Sequence, residues 1–257
     1  VDILQGYGAV PDPRLTLILS KSQAWVQGKD GAEEWKGVPN GLPVTELSLP
    51  EYDNNHNSCI WGYMWGYDWN SAQKGDNISK PKTDADFTPL GLMNYSEVCF
   101  LKAEAALRGW QGAGDAKTNY ENGIRASFEE MRANAPKDSY SKSNDDKYIS
   151  EGNVAWNNAD SFEAKLEKII TQKWIGIYPN SEEAWAEFRR TGYPKLNPVK
   201  QSLEPTINPK NGEFIKKLRY VDNELSNNKE YATDPTLNGG QGDGLSVRVW
   251  WDTARYK

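Results

Sequence analysis

The chain has 257 residues, a formal net charge of −6 and 37% hydrophobic residues, among them 11 Trp, 13 Tyr and 6 Phe. That length suits one large domain or two small ones, with much of the burial supplied by rings that each cover roughly 150–250 Å². The negative balance is the wrong sign for a nucleic-acid footprint or for charge-driven binding to an anionic membrane, and no apolar run approaches the ~18 residues a spanning helix needs.

Residues 1–93 have weak periodicity and many breakers. After Asp12-Pro13-Arg14, the alternation of Leu15, Leu17 and Leu19 predicts a strand. Gly37 to Pro43, GVPNGLP, is dense in turn residues. The run Cys59 to Trp69 then places Trp61, Tyr63, Trp65, Tyr67 and Trp69 at a strict period of two, so that on extended backbone all five rings share one face. Three readings fit that pattern: a flat stacking platform for sugar rings, a strand packed over a helix layer, or an irregular loop, which the interleaved glycines permit. Residues 70–89, rich in Lys, Asp, Ser and Pro, read as an exposed loop.

The helical core is expected over 94–194. Asn94 to Trp110 forms a first helix with Asn94 as cap and Glu97 following. Its apolar face is read as Val98, Leu101, Ala105 and Leu107, flanked by Cys99, Ala103 and Ala106. Asp115 caps a second helix with an inner stripe of Ala116, Tyr120, Ile124, Phe128 and Met131, and the pair has about the ~34-residue size of a tetratricopeptide unit. Pro136 to Asn158 reads as a loop with one short helical turn, anchored by Tyr148, Ile149, Val154 and Trp156. In a second pair, Asp160 and Glu163 form a capping box, and Phe162, Leu166, Ile169, Ile170, Trp174 and Ile177 form the buried stripe up to Pro179. Asn180 caps the last helix, whose inner face is Ala184, Trp185 and Phe188, and Gly192 and Pro194 close it.

In residues 195–257, prolines at 198, 205 and 209 exclude long helices. LNGGQGDG at 237–244 is a turn-rich loop without the flanking strand and helix of a phosphate cradle, and SVRVWWD at 246–252 reads as a final strand or extended tail. Cys99 reads as a small buried hydrophobe, and its pairing with Cys59 is left open. No Cys, His, Asp or Glu spacing suits a metal, and no cofactor is expected. The chain opens at Val1 with neither an initiating methionine nor a signal peptide, and reads as a processed product or a fragment.

One stretch, KLEKIITQKWIGIYPNSEEAWAEFRRTGYPKL (165–196), closely resembles the signature segment near the C-terminus of SusD/RagB-type nutrient-binding lipoproteins of Bacteroidetes. The DPRL segment at 12–15, KGVPNGLP at 36–43, EVCFLKAEAALRGW at 97–110 and RVWWD at 248–252 extend that resemblance in the same order along the chain. It implies a mainly α fold: irregular tetratricopeptide-like helix pairs in an α-α superhelix, with long loops and a few short strands, here the C-terminal half of such a protein. It further implies a lipid-anchored protein on the outer membrane that captures oligosaccharides or other nutrients for a SusC-like TonB-dependent transporter.

The residues themselves suggest binding rather than bond-breaking. The acid pairs Glu33/Glu34, Glu129/Glu130 and Glu182/Glu183 are adjacent in sequence, so they point apart rather than facing each other across a sugar at ~5–10 Å. His56, the only histidine, stands alone in the polar run Asn54-Asn55-His56-Asn57 and reads as an exposed loop histidine rather than the base of a serine nucleophile. Arg189 and Arg190 at a helix end suit salt bridges to Glu183 or Glu187. The ligand platform is therefore placed on Trp61, Tyr63, Trp65, Tyr67 and Trp69. The alternatives are a helical-repeat module that binds a protein through its outer face, and a glycosidase.

Overall fold

The computed structural model describes residues 1–52, 56–58, 91–133 and 140–252. Short helices α1 (Asp2–Gly6), α2 (Leu15–Ile18), α3 (Gln23–Val26) and α4 (Val44–Leu47) punctuate the first segment. The longer helices are α5 (Tyr95–Leu107), α6 (Ala116–Ala133), α8 (Phe162–Gly176) and α9 (Ser181–Thr191), with the six-residue α7 (Asp145–Ser150) between the two pairs. Two short helices, α10 (Asp222–Asn227) and α11 (Lys229–Ala232), lie in the tail. The fold is mainly helical, as the resemblance implies. Among the described residues the β-structure amounts to one isolated bridge, Gly8 to Gly152. The chain divides into two units, Val1–Val38 with Pro50–Ala184, and Pro39–Leu49 with Trp185–Lys257.

In the first unit α5 packs chiefly along α6, and α8 lies against both. The crossing is built on Phe100, which is fully buried. A Cβ on Gly123 of α6 would meet its ring at 2.7 Å, and one on Gly176 of α8 would meet it at 3.2 Å. These glycines serve close approach, not a turn. Tyr120, Ile124, Phe128 and Met131 are buried on α6, and Leu166, Ile169 and Ile170 on α8 with Ile177 just after it, as their spacing predicts, whereas Ala116, Phe162 and Trp174 of the same stripes are half-buried. A second layer joins Leu4, Leu15, Leu17, Ile18, Leu19 and Trp35 to Met131 and Ile175.

Several local expectations are corrected. Leu15 to Leu19 is one helical turn rather than a strand. Leu15, Leu17, Ile18 and Leu19 are all buried, so no face alternates, and Asp12 Oδ1 accepts the Arg14 backbone N–H at 2.8 Å to turn the chain into the helix. The cap of α8 is Ser161, whose hydroxyl accepts the Ala164 N–H at 3.2 Å; Asp160 lies one residue too early and instead pairs with Lys168 at 2.7 Å. Asn94 occupies the cap position of α5 without a side-chain bond. The job passes to Glu130 of α6, which accepts from the Ser96 N–H at 3.0 Å and from its hydroxyl at 2.5 Å. The buried face of α5 is Ser96, Cys99, Phe100, Ala103 and Glu104, with Leu101 exposed, so the face is rotated from the one expected. By contrast Asp115 caps α6 through the Thr118 N–H at 2.8 Å, and Asn180 caps α9 through the Glu183 N–H at 3.2 Å, both as predicted. The short helix in 136–158 is α7, with Tyr148, Ile149 and Val154 buried. Cys99 is buried and carries a free thiol; Cys59 lies outside the described residues.

In the second unit, Gly192 ends α9 at φ 80°, with its N–H on Phe188 O at 2.7 Å. Among the described residues the segment Ser246 to Asp252 joins no ladder. Its side chains help to hold it: Arg248 pairs with Asp252 at 2.7 Å, and Lys216 reaches Asp252 at 3.5 Å.

Candidate functional site

The expected platform, Trp61, Tyr63, Trp65, Tyr67 and Trp69, lies outside the described residues. What can be followed is how the other candidate groups are used. Glu33 and Glu34 pair separately with Lys36 at 3.7 Å and Lys21 at 2.7 Å. Glu129 accepts Lys142 at 2.9 Å, while Glu130 holds the start of α5. Glu183 accepts the buried Lys173 ammonium at 2.9 Å, and Glu97 stands 3.7 Å from the same nitrogen. Glu33, Glu34, Glu129, Glu130 and Glu183 are thus engaged by neighbouring groups, Glu130 and Glu183 by other helices, and Glu182 lies exposed at the start of α9.

Arg190 forms the expected bridge to Glu187, at 2.7 Å. Arg189 does something else. Its guanidinium lies 3.6 Å from the ring centre of Trp185 and 4.8 Å from that of Trp251, and donates to Lys216 O at 3.1 Å. Burial lowers its pKa, against the pull of Asp252. A guanidinium between two indole faces is a stacking arrangement, and it ties α9 to the tail.

The most buried polar cluster went unread in the sequence. Arg14 is fully enclosed by Asp12, Ser127, Tyr148 and Gln172. It donates to Asp12 Oδ1 at 2.9 Å and Oδ2 at 2.6 Å, to Ser127 Oγ at 2.7 Å and to Gln172 Oε1 at 2.5 Å. Tyr148 donates to Asp12 Oδ2 at 2.6 Å and accepts from Gln172 Nε2 at 2.9 Å. Burial pulls the Arg14 pKa down, but the Asp12 charge and hydrogen bonds outweigh it and hold the guanidinium above its usual value. The cluster pins the DPRL segment to α6, α7 and α8, and with no solvent access it is structural.

The second unit holds a cavity of about 760 Å³, within the range of small-molecule sites. Asn40, Gly41, Leu42 and Pro43 contribute to its lining from the turn-rich segment, with Trp185 and Phe214 among the rings. Phe188 and Phe214 meet edge to face with centroids 5.0 Å apart. Gly41 needs its glycine: φ is 80°, and a Cβ would lie 2.1 Å from Gln201 O. The carboxylates on the lining are already bonded. Glu204 takes both the hydroxyl and the backbone N–H of Thr206, and Glu213 takes the Asn208 N–H; these bonds lower the pKa of each. The cavity is thus a greasy recess with satisfied polar edges, suited to apolar groups rather than to acid–base chemistry. Among the described residues there is no group of three or more His, Cys, Asp or Glu able to hold a metal.

The family of SusD and RagB outer membrane lipoproteins matches residues 2–252. The chain belongs to the SusD/RagB family. Solved relatives agree. A chitin-binding SusD homolog from Flavobacterium johnsoniae is 31% identical, with a TM-score of 0.62 over 95% of this chain and 47% of that one. A SusD homolog from Bacteroides vulgatus is 28% identical, with a TM-score of 0.65 over 96% of this chain and 47% of that one. A SusD-like protein from Bacteroides thetaiotaomicron is 27% identical, with a TM-score of 0.61 over 93% and 47%. The chain therefore spans about half the length of the SusD-like structures it matches. A search of curated proteins gave no match. No helix among the described residues is long and apolar enough to cross a membrane.

Proposed function

We propose that this SusD-like chain is part of a cell-surface binding protein that captures oligosaccharides, without cleaving them, and passes them to a SusC-like TonB-dependent transporter in the outer membrane. The observation that carries the reading is 31% identity across 95% of the chain to a homolog described as chitin-binding. The pairing of five of these six glutamates with neighbouring groups supports binding over hydrolysis. Rings at 61, 63, 65, 67 and 69 supply neutral, flat surfaces of the kind on which sugar rings stack. In this proposal they contact the ligand.

Calorimetry on the complete protein tests it, with a panel of chito-, cello-, xylo- and malto-oligosaccharides and a peptide mixture. One oligosaccharide class is expected to bind, and Trp65→Ala to weaken it at least tenfold, about 1.4 kcal/mol. Binding of peptides alone would replace glycan with a different nutrient. Release of shorter sugars over hours would overturn the non-enzymatic part. Co-purification of a large outer-membrane barrel tests the transporter link.

A further inference from the structure

The second unit gathers positive charge that the chain as a whole does not have. Asp252 is buried, and three cations surround it. Arg248 donates to its Oδ1 at 2.7 Å, and the Lys216 ammonium stands 3.5 Å from Oδ2. Arg189 is drawn by the same carboxylate, but among the described residues it forms no ion pair, and its hydrogen bond goes to Lys216 O at 3.1 Å. Burial lowers the Lys216 pKa, Asp252 opposes that, and the like charges of Arg248 and Arg189 push it lower still. Among the described residues the cluster thus sets three positive groups against one negative, in a chain of net charge −6. Charges drawn out of water need counter-charges, and this cluster is two short. Beside it stands a ring. Trp251 stacks on Arg189, while Trp250 is 91% exposed. A lone exposed indole needs no explanation. One carried on the five residues that also hold Arg248 and Asp252 does.

We propose that Arg248, Lys216, Arg189 and Trp250 form a subsite for an acidic sugar. The carboxylate of a uronic acid unit pairs with Arg248, and a ring of the same oligosaccharide stacks on Trp250. Arg248 is the group that reaches the ligand, since its side chain is 39% exposed. Its guanidinium has five donors, so it can keep Asp252 and still take a second carboxylate. Lys216, mostly buried, and Arg189, half-buried, hold the positive potential behind it. A uronate meets both features of the site at once, because it joins a flat sugar face to a single negative charge. The proposal rests on the reading of the protein as an oligosaccharide binder and narrows its substrate class.

Calorimetry on the complete protein tests it, with short oligomers of galacturonate, mannuronate and glucuronate, their methyl esters, and the neutral oligosaccharides of the first panel. One uronate is expected to bind, and its methyl ester, which keeps the rings and loses the charge, to bind roughly tenfold more weakly or worse. Arg248→Gln is expected to bring the acid down to the affinity of its ester, and Arg248→Lys to restore part of the difference. Trp250→Ala removes a ring that is not buried, so it reads the site even where Arg248→Gln fails to fold; it is expected to weaken acid and ester alike. Neutral oligosaccharides bound with every uronate refused would overturn the acidic subsite and leave oligosaccharide capture standing, whereas no sugar bound at all would overturn both. A uronate held equally well by the wild type, Arg248→Gln and Trp250→Ala would overturn the assignment of these residues.

Discussion

Two buried side chains show how single residues fix this fold. Arg14 is held between the rings of Phe128 and Tyr148, with its centre 5.3 and 5.9 Å from their centroids, while five donated bonds run to four neighbouring side chains. A buried ion pair is a weak source of net stability but a costly one to break, because the surviving charge loses its partner. Arg14→Met is therefore expected to cost about 3–5 kcal/mol in urea unfolding. Adding Asp12→Asn should recover part of that loss, and a double variant no better than the single one would mean the charge is not the cause. Gly123 poses the opposite problem. Alanine is better than glycine in a helix by about 1 kcal/mol, so on propensity alone Gly123→Ala should stabilise. The new methyl would lie 2.7 Å from a Phe100 ring that Gly176 confines on its other side. Overpacking of this kind costs about 1–3 kcal/mol, so a net loss is expected, relieved by Phe100→Leu. A gain in melting temperature from Gly123→Ala alone would show that the ring has room to move.

The elements differ in how far their sequences reveal them. The stripe on α6 was legible because that helix has one dominant apolar face, which 3.6-residue periodicity picks out; on α8 periodicity found Leu166, Ile169 and Ile170, but the second half of the helix is buried nearly all round, Thr171, Gln172, Lys173 and Ile175 included. On α5 periodicity misled, since apolar residues surround the helix and spacing cannot say which side is used. Phe100 was missed for that reason; the signal that could have found it is a glycine within each of two long helices, Gly123 and Gly176, each leaving room for a large ring on a neighbour. Leu15 to Leu19 was misread because alternation in five residues is too short to separate a strand from one helical turn. The Asp12–Arg14 cluster was illegible because its partners lie 113 to 158 residues away. The caps were read to within a residue, which is enough to change a prediction. Asp160 looks like the cap of α8 and Ser161 is the cap, so Ser161→Ala is expected to cost about 1 kcal/mol. Asp160→Ala removes only a partly exposed bridge to Lys168 and should cost less. The reverse order in thermal melts would restore the capping box as first read.

At the scale of the molecule, the sequence resemblance located the chain in its family, but the candidate ligand surface and the second unit's cavity were not equally legible. The aromatic run stands out in sequence by its period, whereas the cavity wall is assembled from residues 40–43 and 185–245, which no local pattern links. The first unit also holds a property set by its burial as a whole. Burial raises the pKa of Tyr7 to about 12 and those of Tyr120 and Tyr148 well above 10, with the nearby Asp12 adding to the shift at Tyr148. The unfolded chain releases these phenolic protons near pH 10, the folded chain only at higher pH. Between the two the unfolded state binds fewer protons, so stability falls as pH rises. The contribution of these groups is complete below pH 10 and is lost as pH climbs through 12. Urea midpoints are expected to change little with these groups from pH 7 to 9 and to drop steeply above pH 10, while absorbance at 295 nm shows late-ionising tyrosines that appear together with loss of helical circular dichroism. Tyr120 also donates to Val154 O at 2.8 Å, so Tyr120→Phe should lower stability at neutral pH yet flatten the alkaline slope. Unchanged steepness in that variant would place the alkaline sensitivity elsewhere than in the buried rings of the helical unit.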